Sequence, residues 1–325
     1  MPAGSIEVKD AGTKALTLAD KLGRVRYNSR MANPVNRTTA PAASRQPRPV
    51  AAAPFSASEV EQYQRDGFLI VPGLFAADEM SILLDYARRD PALQSSAYDR
   101  LDATGARTRL ALWNQAGEDL YGLFSRSPRL VDRAEQLLAD EVYHWHTKMM
   151  LKEPRVGGAW EWHQDYGYWY SNGCLYPDLL SAMIAVDTAT RENGCLQVLR
   201  GSHQLGRIDH VKIGDQTGAD PERVAEAVSR HELIYVEAQP GDTLFFHANL
   251  LHRSDQNRSA APRWSLIACY NARHNDPYRE SRHPRYTPLE KTAEGAIRDW
   301  ARRPTGESQN GDQPTADAPA GQAAR

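Results

Sequence analysis

The chain has 325 residues, of which 41% are hydrophobic and 25% are charged, a composition typical of one soluble globular domain with flexible ends. Its formal net charge of −2 gives no electrostatic reason to expect nucleic-acid binding. No apolar run reaches the roughly 18 residues of a membrane span, and the three widely spaced cysteines are typical of a reducing, cytoplasmic compartment.

Both ends of the chain differ in composition from the middle. Residues 1–55 form an Arg/Ala/Pro-rich leader, and no acidic residue occurs between Asp20 and Glu59. Residues 304–325 form a tail without large apolar residues. We expect both segments to be disordered, because neither can bury enough apolar surface to offset the entropy of ordering. An interaction arm or an internal targeting sequence is the alternative for the leader. A single folded domain is expected over residues 56–303.

Helices dominate the first part of this domain. Capping signals at Ser56 and Ser58 predict a first helix that stops at Gly67, and a short strand follows over Phe68–Val71. Apolar residues at i, i+3, i+4 and i+7 predict a second helix over 77–89, and a third is expected over 127–138.

From about Glu141 the pattern changes to β. The predicted strands cover 143–151, 179–186, 197–199, 232–236, 242–246 and 265–270. The segment 209–229 interrupts them and contains a predicted helix over 220–229, so we interpret it as an insertion. Leading helices followed by short strands predict a mainly β, α+β fold in which flanking helices pack on a sandwich or barrel.

The most informative stretch is Trp162-His163-Gln164-Asp165. On a β-strand, His163 and Asp165 leave the same face, and together they supply two of the three ligands of a 2-His-1-carboxylate triad. Such a triad holds Fe(II) and leaves coordination positions open. His252, which follows the apolar run after the Pro240-Gly241-Asp242 turn, supplies the third ligand. Without further context, a His-x-Asp pair is more often structural.

Further motifs supply that context. Arg263 lies eleven residues past His252 and begins the next apolar run, where a guanidinium is suited to bidentate pairing with a carboxylate. From about residue 56 to residue 275 the chain resembles the phytanoyl-CoA dioxygenase-like family of Fe(II)/2-oxoglutarate oxygenases, which includes ectoine hydroxylase. The motifs that carry the resemblance are WHQD at 162–165, ENGCLQVLRGSH at 192–203, PGDTLFFH at 240–247, HRS at 252–254, and Arg263.

The resemblance implies a double-stranded β-helix core, the jelly-roll or cupin-like fold. It implies that His163, Asp165 and His252 bind Fe(II), and that Arg263 and Ser254 bind the cosubstrate 2-oxoglutarate. A further cosubstrate ligand is expected on the preceding strand, where Lys148 is our choice and Lys152 the alternative. The implied reaction uses O2 to hydroxylate an unactivated C–H bond of a small or medium organic substrate and releases succinate and CO2.

The aromatic run after the His-x-Asp pair predicts part of the substrate site. We assign Tyr166 and Trp169 to it, and an aromatic wall suits a ring or a cationic ligand. Two other functions stay open: a cupin-like metal enzyme that does not use 2-oxoglutarate, and a non-catalytic ligand-binding protein on the same fold. Arg263 argues against the first, and the intact triad argues against the second. The sequence predicts no nucleic-acid or membrane partner and leaves the oligomeric state undetermined.

Overall fold

The predicted capping box at Ser56 starts the folded chain. In the computed structural model, which describes residues 55–302, the Ser56 hydroxyl accepts from the backbone of Glu59, whose carboxylate accepts in return from the Ser56 backbone. Gly67 ends the helix with φ 81°, a conformation that favours glycine. Phe55, assigned to the leader, is buried and hydrogen-bonds with Gln136 through its backbone, so it belongs to the folded part. The rest of the leader and the tail lie outside the described residues.

Eight helices and thirteen strands make up the described residues. The helices are α1 Ala57–Asp66, α2 Ala77–Arg89, α3 Pro91–Ser96, α4 Leu120–Ser125, α5 Pro128–Leu138, α6 Asp165–Trp169, α7 Pro221–Arg230 and α8 Ala296–Ala301. The strands are β1 Phe68–Val71, β2 Tyr98–Leu101, β3 Arg107–Trp113, β4 Val142–Lys152, β5 Trp160–His163, β6 Leu179–Ala185, β7 Leu196–Leu199, β8 His210–Ile213, β9 Gln216–Ala219, β10 Leu233–Val236, β11 Thr243–His247, β12 His252–Ser254 and β13 Arg263–Ala272.

Two antiparallel sheets organise the domain. The larger has seven strands in the order β1-β11-β6-β13-β4-β3-β2, and the smaller has four in the order β10-β7-β12-β5. Most neighbouring strands in these two sheets are not consecutive in sequence. Strands β5 and β12, which are about ninety residues apart, are therefore neighbours, with His163 paired to His252.

The core has two main parts. The first joins α1, α2, α4, α5 and α8 to one face of the seven-stranded sheet, where Leu83, Phe124, Leu130 and Phe245 are buried. The second contains residues of both sheets, including Met183 and Ile267 of the larger and Val198 of the smaller. Helices therefore cover one face of the large sheet, and its other face is directed towards the small sheet.

Two regions contain strands that were not predicted. The segment 209–229 contains the predicted helix as α7, but also an unpredicted hairpin of β8 and β9. Strands β2 and β3 extend the edge of the large sheet and were also missed. β2 and β8 are mostly half-buried or exposed, so their sequences carry no alternating buried face to identify.

Among the described residues, no helix combines the length and the apolar character needed to cross a bilayer. Cys174, Cys195 and Cys269 are buried and unpaired with one another.

Candidate active site

Three predicted metal ligands meet where the small sheet ends. The candidate ligand atoms of His163, Asp165 and His252 all lie within 4.8 Å of one another, and the three residues are buried. The Oδ1 atom of Asp165 lies 3.7 Å from Nε2 of His163 and 3.9 Å from Nε2 of His252. Strand pairing between β5 and β12 brings the two imidazoles together, with ring centroids 4.0 Å apart.

Backbone contacts orient both imidazoles in the same way. Nδ1 of His163 lies 2.8 Å from the carbonyl oxygen of Glu161, and Nδ1 of His252 lies 2.8 Å from that of Leu250. A carbonyl can only accept, so each Nδ1 carries the proton and each Nε2 presents a lone pair to Asp165. Burial lowers the pKa of His252 to about 3, which keeps this ring neutral. Two neutral imidazoles and a carboxylate form the donor set that suits ferrous iron.

A serine that the sequence analysis missed orients the carboxylate. The Ser181 hydroxyl donates a 2.8 Å hydrogen bond to Oδ2 of Asp165, which leaves Oδ1 facing the histidines. Burial alone would raise the pKa of Asp165, but the ammonium of Lys148, 3.7 Å from Oδ1, holds it well below its usual range. The carboxylate is therefore ionised and available as a ligand.

The backbone at Asp165 is not the predicted strand. β5 ends at His163, and Asp165 begins the short helix α6. The two side chains still converge, because the chain turns at Gln164, whose side chain donates to the carbonyls of Gly206 and Asn249. Aromatic residues favour strands, but tertiary contacts of this turn override that preference here.

Arg263 begins β13 and is 4% exposed. Its guanidinium forms no hydrogen bond or ion pair with another described residue. Burial lowers the pKa of Arg263 to about 10, which reflects the cost of a positive charge without a close partner. Because a buried charge without a partner is expensive, this side chain fits a ligand carboxylate such as that of 2-oxoglutarate.

Ser254 and the two candidate lysines occupy different places. Lys152 is buried behind the site, where its ammonium donates to the Ser254 hydroxyl at 2.8 Å and to the Asp255 carbonyl. Lys148 lines the cavity beside Asp165. Lys152 is therefore the lysine that holds Ser254, whereas Lys148 is the one whose ammonium faces the cavity.

A cavity of about 660 Å³ opens over these residues. Its floor is one face of the large sheet, where strand register fixes the order of the side chains: Arg263 pairs with Lys152, Ile267 with Lys148, and Cys269 with His146. Arg263 and His146 therefore lie on opposite sides of the level at which Lys148 approaches Asp165. The cavity lining therefore extends from the level of Lys148 both towards Arg263 and towards His146.

The two predicted substrate residues separate. Trp169 lines the cavity, 5.7 Å from the His146 ring between centroids. Tyr166 does not line it; its hydroxyl donates to the carbonyl of Leu175 at 2.6 Å. On helix α6, Tyr166 and Tyr168 point in different directions, and it is Tyr168 that lines the cavity. The structure therefore does not support Tyr166 as a substrate contact.

Several other residues in or beside the cavity escaped the sequence analysis. Ser181 was detectable as a lone hydroxyl in the otherwise apolar strand β6. His146 was detectable as a member of the alternating set His146, Lys148, Met150 on β4, of which only the lysine was considered. Tyr98 and Arg100 come from the unpredicted strand β2, and Lys212 from the unpredicted hairpin.

Comparison with known proteins agrees with this geometry. A family model described as Phytanoyl-CoA dioxygenase (PhyH) matches residues 63–265. The chain is 29% identical over 235 residues to an ectoine dioxygenase of Sphingopyxis alaskensis. The matched region covers 68% of this chain and 77% of that protein. It is 32% identical over 175 residues to an L-proline trans-4-hydroxylase of Streptomyces griseoviridis, across 49% of this chain and 65% of that one.

Solved structures match as well. EctD of S. alaskensis with bound Fe superposes with a TM-score of 0.64 at 26% identity, covering 74% of this chain and 88% of that chain. The same enzyme with 2-oxoglutarate and 5-hydroxyectoine gives a TM-score of 0.62. These matches confirm the predicted mainly β, cupin-like jelly-roll fold with flanking helices.

Proposed function

The chain belongs to the phytanoyl-CoA dioxygenase family and is an Fe(II)- and 2-oxoglutarate-dependent dioxygenase; we propose that His163, Asp165 and His252 hold its iron. When bound, iron and 2-oxoglutarate supply the O2-dependent hydroxylation of a C–H bond, with succinate and CO2 as co-products. The observation that supports the assignment is the convergence of two Nε2 lone pairs and one carboxylate oxygen. A hydrogen bond at the other polar atom of each side chain, Nδ1 of each histidine and Oδ2 of Asp165, fixes its orientation.

Arg263 binds the distal carboxylate of 2-oxoglutarate in this proposal. Its buried guanidinium has two parallel N–H donors for a carboxylate and no competing partner among the described residues. Ser254, held by Lys152, also lines the cavity as a hydroxyl donor. A metal enzyme that does not use a 2-oxo acid would leave this buried charge unexplained, so the structure favours the 2-oxoglutarate-dependent reaction over that alternative.

Lys148 holds the Asp165 carboxylate ionised and presents its ammonium to the cavity. It can therefore attract a carboxylate of the cosubstrate to the triad, which is the role that we propose for it. Buried apolar side chains, among them Met183, Phe246 and Ile267, line the cavity near the triad and limit the access of water.

The substrate is a small molecule, and the side of the cavity opposite Arg263 is where we propose that it binds. We further propose that residues 56–303 with Phe55 form the catalytic domain, that the leader and the tail are not required, and that the protein acts in the cytoplasm without a nucleic-acid or membrane partner. The net charge of −2 supports the absence of a nucleic-acid partner.

The test is succinate release from 2-oxoglutarate by the full chain with Fe(II) and ascorbate, together with iron content by elemental analysis. The wild type should hold one iron per chain and release succinate, whereas His163→Ala, Asp165→Ala and His252→Ala should lose both properties. His231→Ala is the matched control, because His231 contacts the Arg200 carbonyl away from the cavity. Equal iron content in the wild type and all three variants would overturn the assignment.

A further inference from the structure

The hairpin of β8 and β9 lies against β5, the strand that ends at His163. β5 is an edge strand, because among the described strands it forms its ladder with β12 alone. The backbone N–H and C=O groups on its other edge need hydrogen-bond partners wherever they are buried. Side chains of the hairpin supply such partners on both sides of His163.

Gln216 of β9 binds the chain just before His163. Its side chain is 3% exposed, and its Oε1 accepts from the backbone N–H of Glu161 at 3.0 Å. Its Nε2 donates to the carbonyl of Ala159 at 2.9 Å, so the side-chain amide occupies the place of a peptide group from a neighbouring strand. The carbonyl of Glu161 is the group that accepts from Nδ1 of His163. Gln216 therefore fixes the residue that orients this imidazole.

His210 of β8 binds the chain just after His163. Its Nδ1 lies 2.9 Å from the carbonyl oxygen of Ile208, and its Nε2 lies 3.1 Å from the backbone nitrogen of Gln164. Because the carbonyl can only accept and the amide can only donate, Nδ1 carries the proton and Nε2 accepts from Gln164. Burial lowers the pKa of His210 to about 4, which agrees with a neutral ring. The turn between the two ligands is thus bound to the start of the hairpin.

The close approach of His210 to this turn depends on Gly167 of α6. A Cβ atom at Gly167 would lie 2.0 Å from Cε1 and 2.3 Å from Nε2 of His210, far inside van der Waals contact. The next residue, Tyr168, packs its ring on His210 with centroids 5.3 Å apart, and its hydroxyl donates to the carbonyl of Thr217. The hairpin therefore contacts α6, which begins at Asp165, as well as β5.

From these contacts, and resting on the proposed function, we propose that His210 and Gln216 are positioning residues of the metal centre. They hold the backbone N–H groups of Glu161 and Gln164, which lie on either side of His163. The hairpin thereby keeps Nε2 of His163 at the spacing from Asp165 that the metal requires. Neither side chain contacts the ligand atoms, so both act through the backbone of the ligand-bearing strand and turn.

The test measures the Mn(II) affinity of the full chain without 2-oxoglutarate, from the electron paramagnetic resonance signal of free Mn(II). Gln216→Leu and His210→Phe should each weaken Mn(II) binding about tenfold, as is typical when the support of a metal ligand is lost. Gln136→Leu is the matched control. The side-chain amide of Gln136 also bonds one backbone N–H and one carbonyl, those of Phe55, which lie away from the metal centre. It should lower the melting temperature and leave the Mn(II) affinity unchanged.

Two further substitutions separate positioning from general stability. His210→Gln retains an acceptor for the Gln164 N–H, so it should bind Mn(II) more tightly than His210→Phe does. Gly167→Ala displaces the His210 ring and should weaken Mn(II) binding in the wild-type background. In a His210→Ala background it should have no further effect, because no ring remains to be displaced. An effect of equal size in both backgrounds would mean that Gly167 acts on α6 directly.

Unchanged Mn(II) affinity in Gln216→Leu and His210→Phe, or an equal loss in Gln136→Leu, overturns this inference. If the first two variants do not fold, the comparison of Gly167→Ala between the two backgrounds decides it, and an equal effect in both overturns it. A wild type that binds no Mn(II) overturns the proposed function together with this inference. Wild-type affinity that survives every substitution overturns this inference alone.

Discussion

The hydroxyl of Ser181 donates a 2.8 Å hydrogen bond to Oδ2 of Asp165 and thereby directs Oδ1 towards His163 and His252. Ser181 lies on β6 of the large sheet, whereas Asp165 follows β5 of the small sheet, so this one contact joins the two sheets at the proposed metal centre. The orientation of the carboxylate therefore depends on how the sheets pack as well as on the local turn.

Removal of this hydroxyl should weaken metal binding without removing a ligand. Loss of a group that orients a metal ligand typically costs about 10–100-fold in metal affinity or activity, and we expect Ser181→Ala to fall in that range for Fe(II) or Mn(II) affinity. Ser265→Ala is the control, because the hydroxyl of that buried serine has no hydrogen-bond partner among residues 55–302. If both variants bind Mn(II) as the wild type does, Ser181 has no orienting role.

Arg263→Leu should impair cosubstrate binding selectively. Loss of a buried charge-assisted pair costs on the order of 2–5 kcal/mol, so the concentration of 2-oxoglutarate needed for half-maximal turnover should rise at least about thirtyfold. Iron content should stay near one per chain, because Arg263 does not contact the triad. The matched control is Arg253→Leu, a cavity arginine already paired with Asp255. Unchanged 2-oxoglutarate dependence in Arg263→Leu would show that this guanidinium does not bind the cosubstrate.

Trp169 and Tyr166 should respond differently to substitution. Trp169→Ala removes part of the cavity wall. It should therefore raise the substrate concentration needed for half-maximal turnover more than it raises the corresponding 2-oxoglutarate concentration. Trp169 is also buried, and Trp169→Phe, which keeps a ring, separates this effect from loss of stability.

Tyr166→Phe removes the hydroxyl that donates to the carbonyls of Leu175 and Cys174, and it should cost about 0.5–1.5 kcal/mol of stability. The concentrations of substrate and of 2-oxoglutarate needed for half-maximal turnover should not change. Melting temperatures and both concentrations are measured on the same preparations. A folded Trp169→Ala protein with unchanged substrate kinetics would remove Trp169 from the proposed substrate site.

Much of this architecture was predictable because its signals are local. The Ser56–Glu59 capping box and the spacing of Met80, Leu83 and Ala87 identified helices that the structure confirms. The family motifs predicted that His163, Asp165 and His252 lie together, and they do so even though Asp165 lies on a helix where a strand was predicted. A short motif can thus be right about proximity while the backbone conformation between its residues is wrong.

What could not be predicted depends on pairing between distant strands. Ser181 reaches Asp165 only because the two sheets meet, and Arg100 lines the cavity only because β2 extends the large sheet past β4. Strand register decides which lysine of β4 faces Asp165 and which supports Ser254. A sequence with period-2 alternation identifies the face of a strand but not its neighbours.

Removal of residues 1–54 should leave the catalytic domain intact, whereas a cut that also removes Phe55 should not. Phe55 is buried against Phe245, with ring centroids 5.7 Å apart, and its backbone pairs with Gln136. We expect a protein that spans residues 55–303 to keep the iron content and succinate release of the full chain. Further substitution of Phe55 by Ala should lower the free energy of unfolding by about 3–5 kcal/mol. Loss of iron from a protein that lacks only residues 1–54 would assign a role to the leader.

His274 should make stability depend on pH away from the active site. Its Nδ1 lies 2.7 Å from a carboxylate oxygen of Asp140 and its Nε2 lies 2.8 Å from one of Asp178. Hydrogen bonds to these two carboxylates raise the pKa of His274 above its usual value of about 6.5. The imidazolium is therefore favoured in the folded chain, so its stabilising effect is fully present below that usual value and is lost as pH rises through the raised pKa.

The expected result is a free energy of unfolding that is lower in His274→Gln than in the wild type near pH 5.5, with the difference shrinking as the pH rises to about 9. Denaturant unfolding at several pH values measures it, and moderate salt should reduce the effect because the site is part-exposed. Asp178→Asn leaves Asp140 in place and should retain only part of the pH-dependent difference. A gap between wild type and His274→Gln that stays constant from pH 5.5 to 9 would mean that the imidazole acts here through packing rather than through its charge.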